Sequence, residues 1–162
     1  MSAKVSAGVL VYRRIAASAA VELLLVHPGG PFWARKDEGA WTIPKGELGS
    51  AEDPLEAARR ELLEETGLTA AGPAVALTPV RQAGGKTVHA FAIEQDFDVA
   101  ALRSNTFELE WPPRSGVRRS YPEVDRAAWF SPEAARTKLL RGQVPLVDDL
   151  LARLAANSHS ER

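Results

Sequence analysis

Residues 46–68, GELGSAEDPLEAARRELLEETGL, carry their own start and stop signals and constrain the chain more than any other segment. Asp53 offers a side-chain oxygen to cap a helix, Pro54 suits the first helical position because no amide is needed there, and Gly67 stands where a glycine ends a helix. These signals predict a helix over 54–66. At about 100° per residue, Leu55, Ala58 and Leu62 share a stripe that faces a sheet, while Glu61, Glu64 and Glu65 share a second sector with Ala57 between them. Carboxylates spaced three and four residues apart repel one another by about 0.2–0.5 kcal/mol per pair. A bare helix gains nothing from this. A hard divalent cation, which takes oxygen ligands, turns the same repulsion into binding, and Ala57 leaves room for the ion and its waters. Arg60, four residues from both Glu56 and Glu64, neutralises and orients the cluster from the side. The competing reading is a solvated, charged helix face with no site.

Around this helix the pattern alternates strands and helices. Residues 6–12 and 21–27 are apolar and rich in β-branched residues and leucine, as strands of a central sheet are, with an Ala/Ser stretch between them. Residues 28–40, with Gly and Pro at turn positions, read as a loop, and 41–43 as a short strand. Strands are expected near 74–80 and 87–93, joined by a Gly84-Gly85 turn, and another at 127–130. Residues 98–123 show no regular pattern and read as a long loop or insertion. Ser131-Pro132-Glu133 starts a helix, 144–156 forms a final amphipathic helix, and 157–162 a frayed tail. The expected architecture is one α/β layered domain over 1–162.

Composition narrows the function. The chain has 162 residues, 45% of them hydrophobic, enough for one core without staples. It has no cysteine, which excludes disulfides and zinc–thiolate sites. A net charge of -1 lacks the basic field of a dedicated nucleic-acid binder, so no stable nucleic-acid binding is expected. No apolar run approaches the roughly 20 residues that span a bilayer, and the N-terminus reads as a strand rather than a leader. The expectation is a cytoplasmic protein without membrane contact, compatible with a homodimer.

Gly46, Glu52, Arg60, Glu61, Leu62, Glu64, Glu65, Gly67 and Leu68 together match every fixed position of GX5EX7REUXEEXGU, so the segment resembles the Nudix box. The resemblance implies a Nudix-type α/β/α sandwich with a central mixed β-sheet. It implies Mg²⁺, with Mn²⁺ as a substitute, held by Glu61, Glu64, Glu65 and the Gly46 carbonyl, with Glu52 assisting and Arg60 orienting. The implied reaction is hydrolysis of a diphosphate linkage in a small nucleotide-like substrate, by water attack at phosphorus. The alternative is a nucleotide-sensing module that keeps the fold and only binds, a reading that the complete set of box glutamates disfavours.

The family takes its general base either from the box or from a downstream glutamate. Glu123 is the downstream candidate, because PEVDRAAWFSPEAA is similar to a common Nudix arrangement; the bland reading pairs it with Arg118, Arg119 or Arg126. Glu108 and Glu110 are weaker candidates. WTIPKGE, residues 41–47, resembles the entry to the box in diadenosine and diphosphoinositol polyphosphate hydrolases, which places Lys45 against a phosphate and leaves Trp41 in core or pocket. Phe32, Trp33 and Trp111 lie in expected loops where rings stack on a base. Arg35 is a phosphate candidate, as are Lys86, Arg114, Arg118 and Arg119. His27 and His89 lack partners at metal spacing and are given no role.

Overall fold

A computed structural model describes residues 4–160, apart from 16, 17 and 19. The order of elements is β1 (Val5–Arg14), β2 (Val21–Pro28), β3 (Lys45–Glu47), α1 (Pro54–Thr66), β4 (Ala74–Ala76), β5 (Val80–Gln82), β6 (Lys86–Glu94), β7 (Thr106–Glu110), β8 (Arg118–Pro122), β9 (Val124–Phe130), α2 (Pro132–Lys138) and α3 (Pro145–Ser160). Seven strands form one sheet in the order β4-β6-β1-β2-β9, with β3 also pairing with β1 and β5 with β6. Among the described strands of this sheet β1 and β6 pair in parallel and the other pairs are antiparallel, so the sheet is mixed.

Period-2 alternation along β1 explains why helices cover both faces. Ala7, Val9 and Val11 point to one side, where Ala57, Ala58 and Leu62 of α1 complete a core with Leu24, Leu68 and Ile93. Leu10 and Tyr12 point to the other, where they meet Leu23, Leu25, Trp41 and Ile43 together with Leu146, Val147 and Leu150 of α3. The expected three-layer arrangement is what the chain forms. Trp41 belongs to the second core, and its indole Nε1 donates to Asp37 Oδ1 at 2.8 Å.

Several expectations need correction. Residues 98–123 are not an irregular loop: β7 and β8 form a separate two-stranded hairpin, with Thr106 opposite Pro122 and Glu110 opposite Arg118. The expected strand over 74–80 is two short strands, both antiparallel to β6. Trp41 and Thr42 make isolated bridges, and the regular strand begins after them, at Lys45. α3 continues to Ser160; the last two residues of the expected frayed tail, and most of the Ala/Ser stretch between β1 and β2, lie outside the described residues. Among the described residues no helix is long and apolar enough to cross a membrane.

Candidate active site

The local signals place α1 where the sequence puts it. The Asp53 side chain accepts from the Leu55 and Glu56 amides at 3.1 Å each, and Gly67 takes the left-handed conformation, φ 81°, while its amide closes on Leu63 O at 2.8 Å. No basic residue sits in the last turn, so Glu64 and Glu65 stand at the negative end of the helix, against the dipole preference. Local stability does not account for them there.

Ala57, Ala58, Leu62, Glu65 and Thr66 are the buried residues of α1, and this corrects the role expected for Ala57. Its methyl is fully enclosed in the core with Ala7 and Val9 and makes no room for an ion. On a helical wheel Glu61 and Glu65 lie between Ala57 and Ala58, inside one arc of about 180°. The arc is apolar where it crosses β1 and acidic where its C-terminal half crosses β3. Gly46 of β3 lets the Glu61 carboxylate pack against the strand at that crossing: a Cβ there would lie 2.1 Å from Glu61 Cδ and push the side chain aside.

Arg60 organises the outer side. Its Nε and Nη2 donate to the two oxygens of Glu52 at 2.8 and 3.0 Å, and its Nη1 donates to Glu61 at 2.9 Å and Glu64 at 3.2 Å. Glu52 also accepts from the Gly49 amide at 2.9 Å. The guanidinium first, and that amide second, hold the Glu52 carboxyl down at about 2.

The inner carboxylates shift the other way. Burial, then the charges of Glu61 and Glu123, push Glu65 up to about 8, against an opposing hydrogen bond from the Lys45 backbone. Burial and Glu64 raise Glu61, with Arg60 opposing, and burial and Glu64 raise Glu123. Glu61, Glu64, Glu65 and Glu123 therefore feel one another as a single electrostatic unit. Burial lowers the Lys45 ammonium, while Glu65 and Glu61 counteract. Lys45, Glu65 and Glu123 line one open cleft of about 260 Å³ with Pro28, Thr42 and Val124. A larger cleft of about 370 Å³ between Val21, Pro132, Leu151 and Leu154 presents no acidic group and faces away from this chemistry.

The oxygen donors of Glu61, Glu64 and Glu65 suit a hard divalent cation, and the close pass of Glu61 over glycine backbone fits a ligand set that includes the Gly46 carbonyl. Among the described residues no three acidic or histidine side chains already stand close enough together to hold an ion. The donor chemistry fits, with Arg60 bonded to Glu61 and Glu64 from the side.

The arginine partners considered for Glu123 are not its partners. Arg118 pairs with Glu108 at 3.5 Å, Arg126 with Asp125 at 3.6 Å, and Glu110 accepts from the Gly116 amide at 3.0 Å. Phe32, 61% exposed, meets Trp111 edge to face with ring centroids 5.1 Å apart, joining the 28–40 loop to the hairpin. Trp33 receives the Lys36 ammonium over its ring at 5.1 Å. Arg35 is exposed and, among the described residues, makes no side-chain hydrogen bond or ion pair. These four are not brought into the cleft that holds Lys45. His27, given no role, is fully buried and uses both ring nitrogens, at 2.8 Å from Asp125 Oδ1 and 2.7 Å from Lys36 O, so it fastens the loop to β9. No site role was expected from the sequence for Thr42, Pro28 or the 103–105 segment.

The family model described as the NUDIX domain matches residues 3–150. The chain belongs to the NUDIX domain family. Its fold is similar to the NUDIX domain of Shewanella oneidensis NrtR, solved with ADP ribose, with a TM-score of 0.65 at 13% identity over 95% of this chain and 90% of that one. A C. elegans Ap4A hydrolase gives 0.62 at 23% identity over 94% and 98% of the two chains. A mutT/nudix family protein from Listeria innocua gives 0.65 at 16% identity over 97% and 98%. The octanoyltransferase of Myxococcus xanthus is 34% identical over 101 residues, 62% of this chain and 25% of that protein. The chain thus spans about a quarter of that relative's length.

Proposed function

We propose that this Nudix protein hydrolyses a diphosphate linkage in a nucleoside polyphosphate or dinucleoside polyphosphate, with Mg²⁺ as its usual cofactor and Mn²⁺ as a substitute. The observation that carries the reading is the cleft lined by Lys45, Glu65 and Glu123, backed by the mutually repelling Glu61 and Glu64. Glu61, Glu64, Glu65 and the Gly46 carbonyl would hold the cation. When bound, it neutralises phosphate oxygens and brings water and substrate together.

The protein's own residues supply the rest. Glu123, raised by burial, is suited to take a proton from the attacking water. The water oxygen bonds to phosphorus, the bridging P–O bond breaks with its electron pair leaving on the departing phosphate, and the proton passes to the Glu123 carboxylate. Lys45 meets the negative charge of the phosphate chain, and Arg60 keeps Glu61 and Glu64 aimed inward. Phe32 and Trp111 offer a ring pair for a base, with Trp33 next to Phe32 in the chain and Arg35 exposed for a distal phosphate. Dinucleoside polyphosphates are favoured by the Trp-Thr-Ile-Pro-Lys-Gly entry at 41–46, and the likeness to an Ap4A hydrolase supports the same choice. The full set of box glutamates supports turnover over binding alone.

The test is a panel of dinucleoside polyphosphates, nucleoside triphosphates and ADP-ribose, incubated with Mg²⁺ or with chelator, with products separated by chromatography. Mg²⁺-dependent release of two phosphorylated products is expected. Thermal shifts by these compounds, with no turnover in any, would support the sensing reading instead.

A further inference from the structure

The last carbonyls of an α-helix have no partner within the helix and must find one outside. In α1, Leu63 O is served by Gly67 N, but Glu64 O accepts from Asn105 N at 2.8 Å and Thr66 O from Arg103 N at 2.9 Å. Residues 103–105 therefore lie across the end of the helix that bears the glutamates. The same short segment reaches the other way to the cleft. Asn105 O accepts from Glu123 N at 2.8 Å, and the Ser104 hydroxyl accepts from Val124 N at 2.9 Å while donating to Asn105 O at 2.8 Å. Continuing the β7–β8 register one step past Thr106 and Pro122 sets Asn105 opposite Glu123.

On its far side Glu123 O accepts from Gly29 N at 2.9 Å, at a point where a Cβ on Gly29 would come 1.9 Å from Pro122 O. Three bonds thus hold the backbone of residues 123–124 in addition to the pairing of Val124 with Pro28 in the sheet. Only one of them is made by a side chain, that of Ser104. The backbone of Asn105 joins Glu64 to Glu123 directly, and the Ser104 hydroxyl braces that junction by bridging Asn105 O and Val124 N, a contact that a substitution removes without altering the backbone.

We propose that Ser104 is a positioning residue, which fixes the carboxylate of Glu123 relative to Glu64 and so to the water that Glu123 deprotonates. This rests on the reading of Glu123 as general base. A displacement of about 1 Å in such a group costs up to roughly 100-fold in rate, whereas loss of a hydroxyl that only braced the hairpin would leave turnover alone.

The experiment compares Ser104→Ala, Ser104→Thr, Glu123→Gln and the double variant S104A/E123Q in the full chain with Mg²⁺ and the best substrate of the panel. The Ser104→Ala protein is expected to lose about tenfold in kcat with KM and Mg²⁺ dependence near wild type, and Ser104→Thr, which keeps the hydroxyl, to recover most of it. Glu123→Gln is expected to lose about 100-fold or more, and the double variant to be no slower than Glu123→Gln, because Ser104 acts through Glu123. Ser131→Ala removes a comparable bond, from the Ala134 amide at the start of α2, and should keep the wild-type rate. If the alanine variant melts early, the near-isosteric pair Ser104→Val and Ser104→Thr repeats the comparison, with only valine slow. A slow Glu123→Gln beside a fast Ser104→Ala, or a double variant slower than Glu123→Gln by a further tenfold, overturns the positioning role alone. A fast Glu123→Gln overturns the base assignment itself.

Discussion

Arg60 grips Glu52 with a fork, Nε on one carboxylate oxygen at 2.8 Å and Nη2 on the other at 3.0 Å, while its remaining nitrogen serves Glu61 and Glu64. The loop glutamate therefore fixes the cation that aims two of the helix glutamates. Lysine carries the same charge but has no planar fork, so Arg60→Lys is not a conservative change here. The expected outcome is a loss of about 10–100-fold in apparent Mg²⁺ affinity or kcat, with little change in melting temperature. A Mg²⁺ titration of activity reads it. An unchanged titration would show that the fork orients nothing.

Glu65 sets a pH dependence for the metal-free protein. Its folded value of about 8 lies above the ordinary 4.5, so the native state keeps a proton that the unfolded chain releases. The contribution is fully present below about 4.5 and is lost as the pH rises toward about 8. Urea unfolding in chelator at pH 5 and at pH 8 should therefore show Glu65→Gln losing less stability than wild type between the two. Parallel losses in both proteins would contradict the shift.

Gln143 is fully buried and ties three segments together: Oε1 accepts from Ile43 N at 2.9 Å, and Nε2 donates to Thr42 Oγ1 and Gln82 Oε1 at 2.8 Å each. Gln143→Ala leaves a buried amide without a partner just before Lys45. A destabilisation of about 1–3 kcal/mol is expected by urea unfolding, with a raised KM as the strand that carries Lys45 loosens. Wild-type stability would mean that water replaces the side chain without cost.

The sequence was most legible where local chemistry decides structure. Asp53, Pro54 and Gly67 set the ends of α1, and the helix runs from Pro54 to Thr66 as they predict. The hairpin was hidden although Phe107 and Leu109 alternate with charged residues. Trp111-Pro112-Pro113 breaks the pattern, and β8, RRSYP, has almost nothing apolar to alternate. Ala57 was misplaced for a geometric reason: a wheel gives its angle but not which part of the helix crosses β1 and which crosses β3. Ser104 and Asn105 escaped notice because their bonds are mostly to backbone, which no residue pattern encodes. The Phe32 and Trp111 contact joins residues far apart in sequence, so spacing alone does not reveal it.

The central claim is that the glutamate face of α1 drives diphosphate hydrolysis, and Glu64→Gln, which keeps the shape and removes the charge, addresses it most directly. Rates of wild type and variant are compared with saturating Mg²⁺ on the best substrate of the panel, with melting curves to confirm that both are folded. The expected result is a fall of about 100-fold or more in kcat with the fold intact. Equal rates in two folded proteins would contradict it.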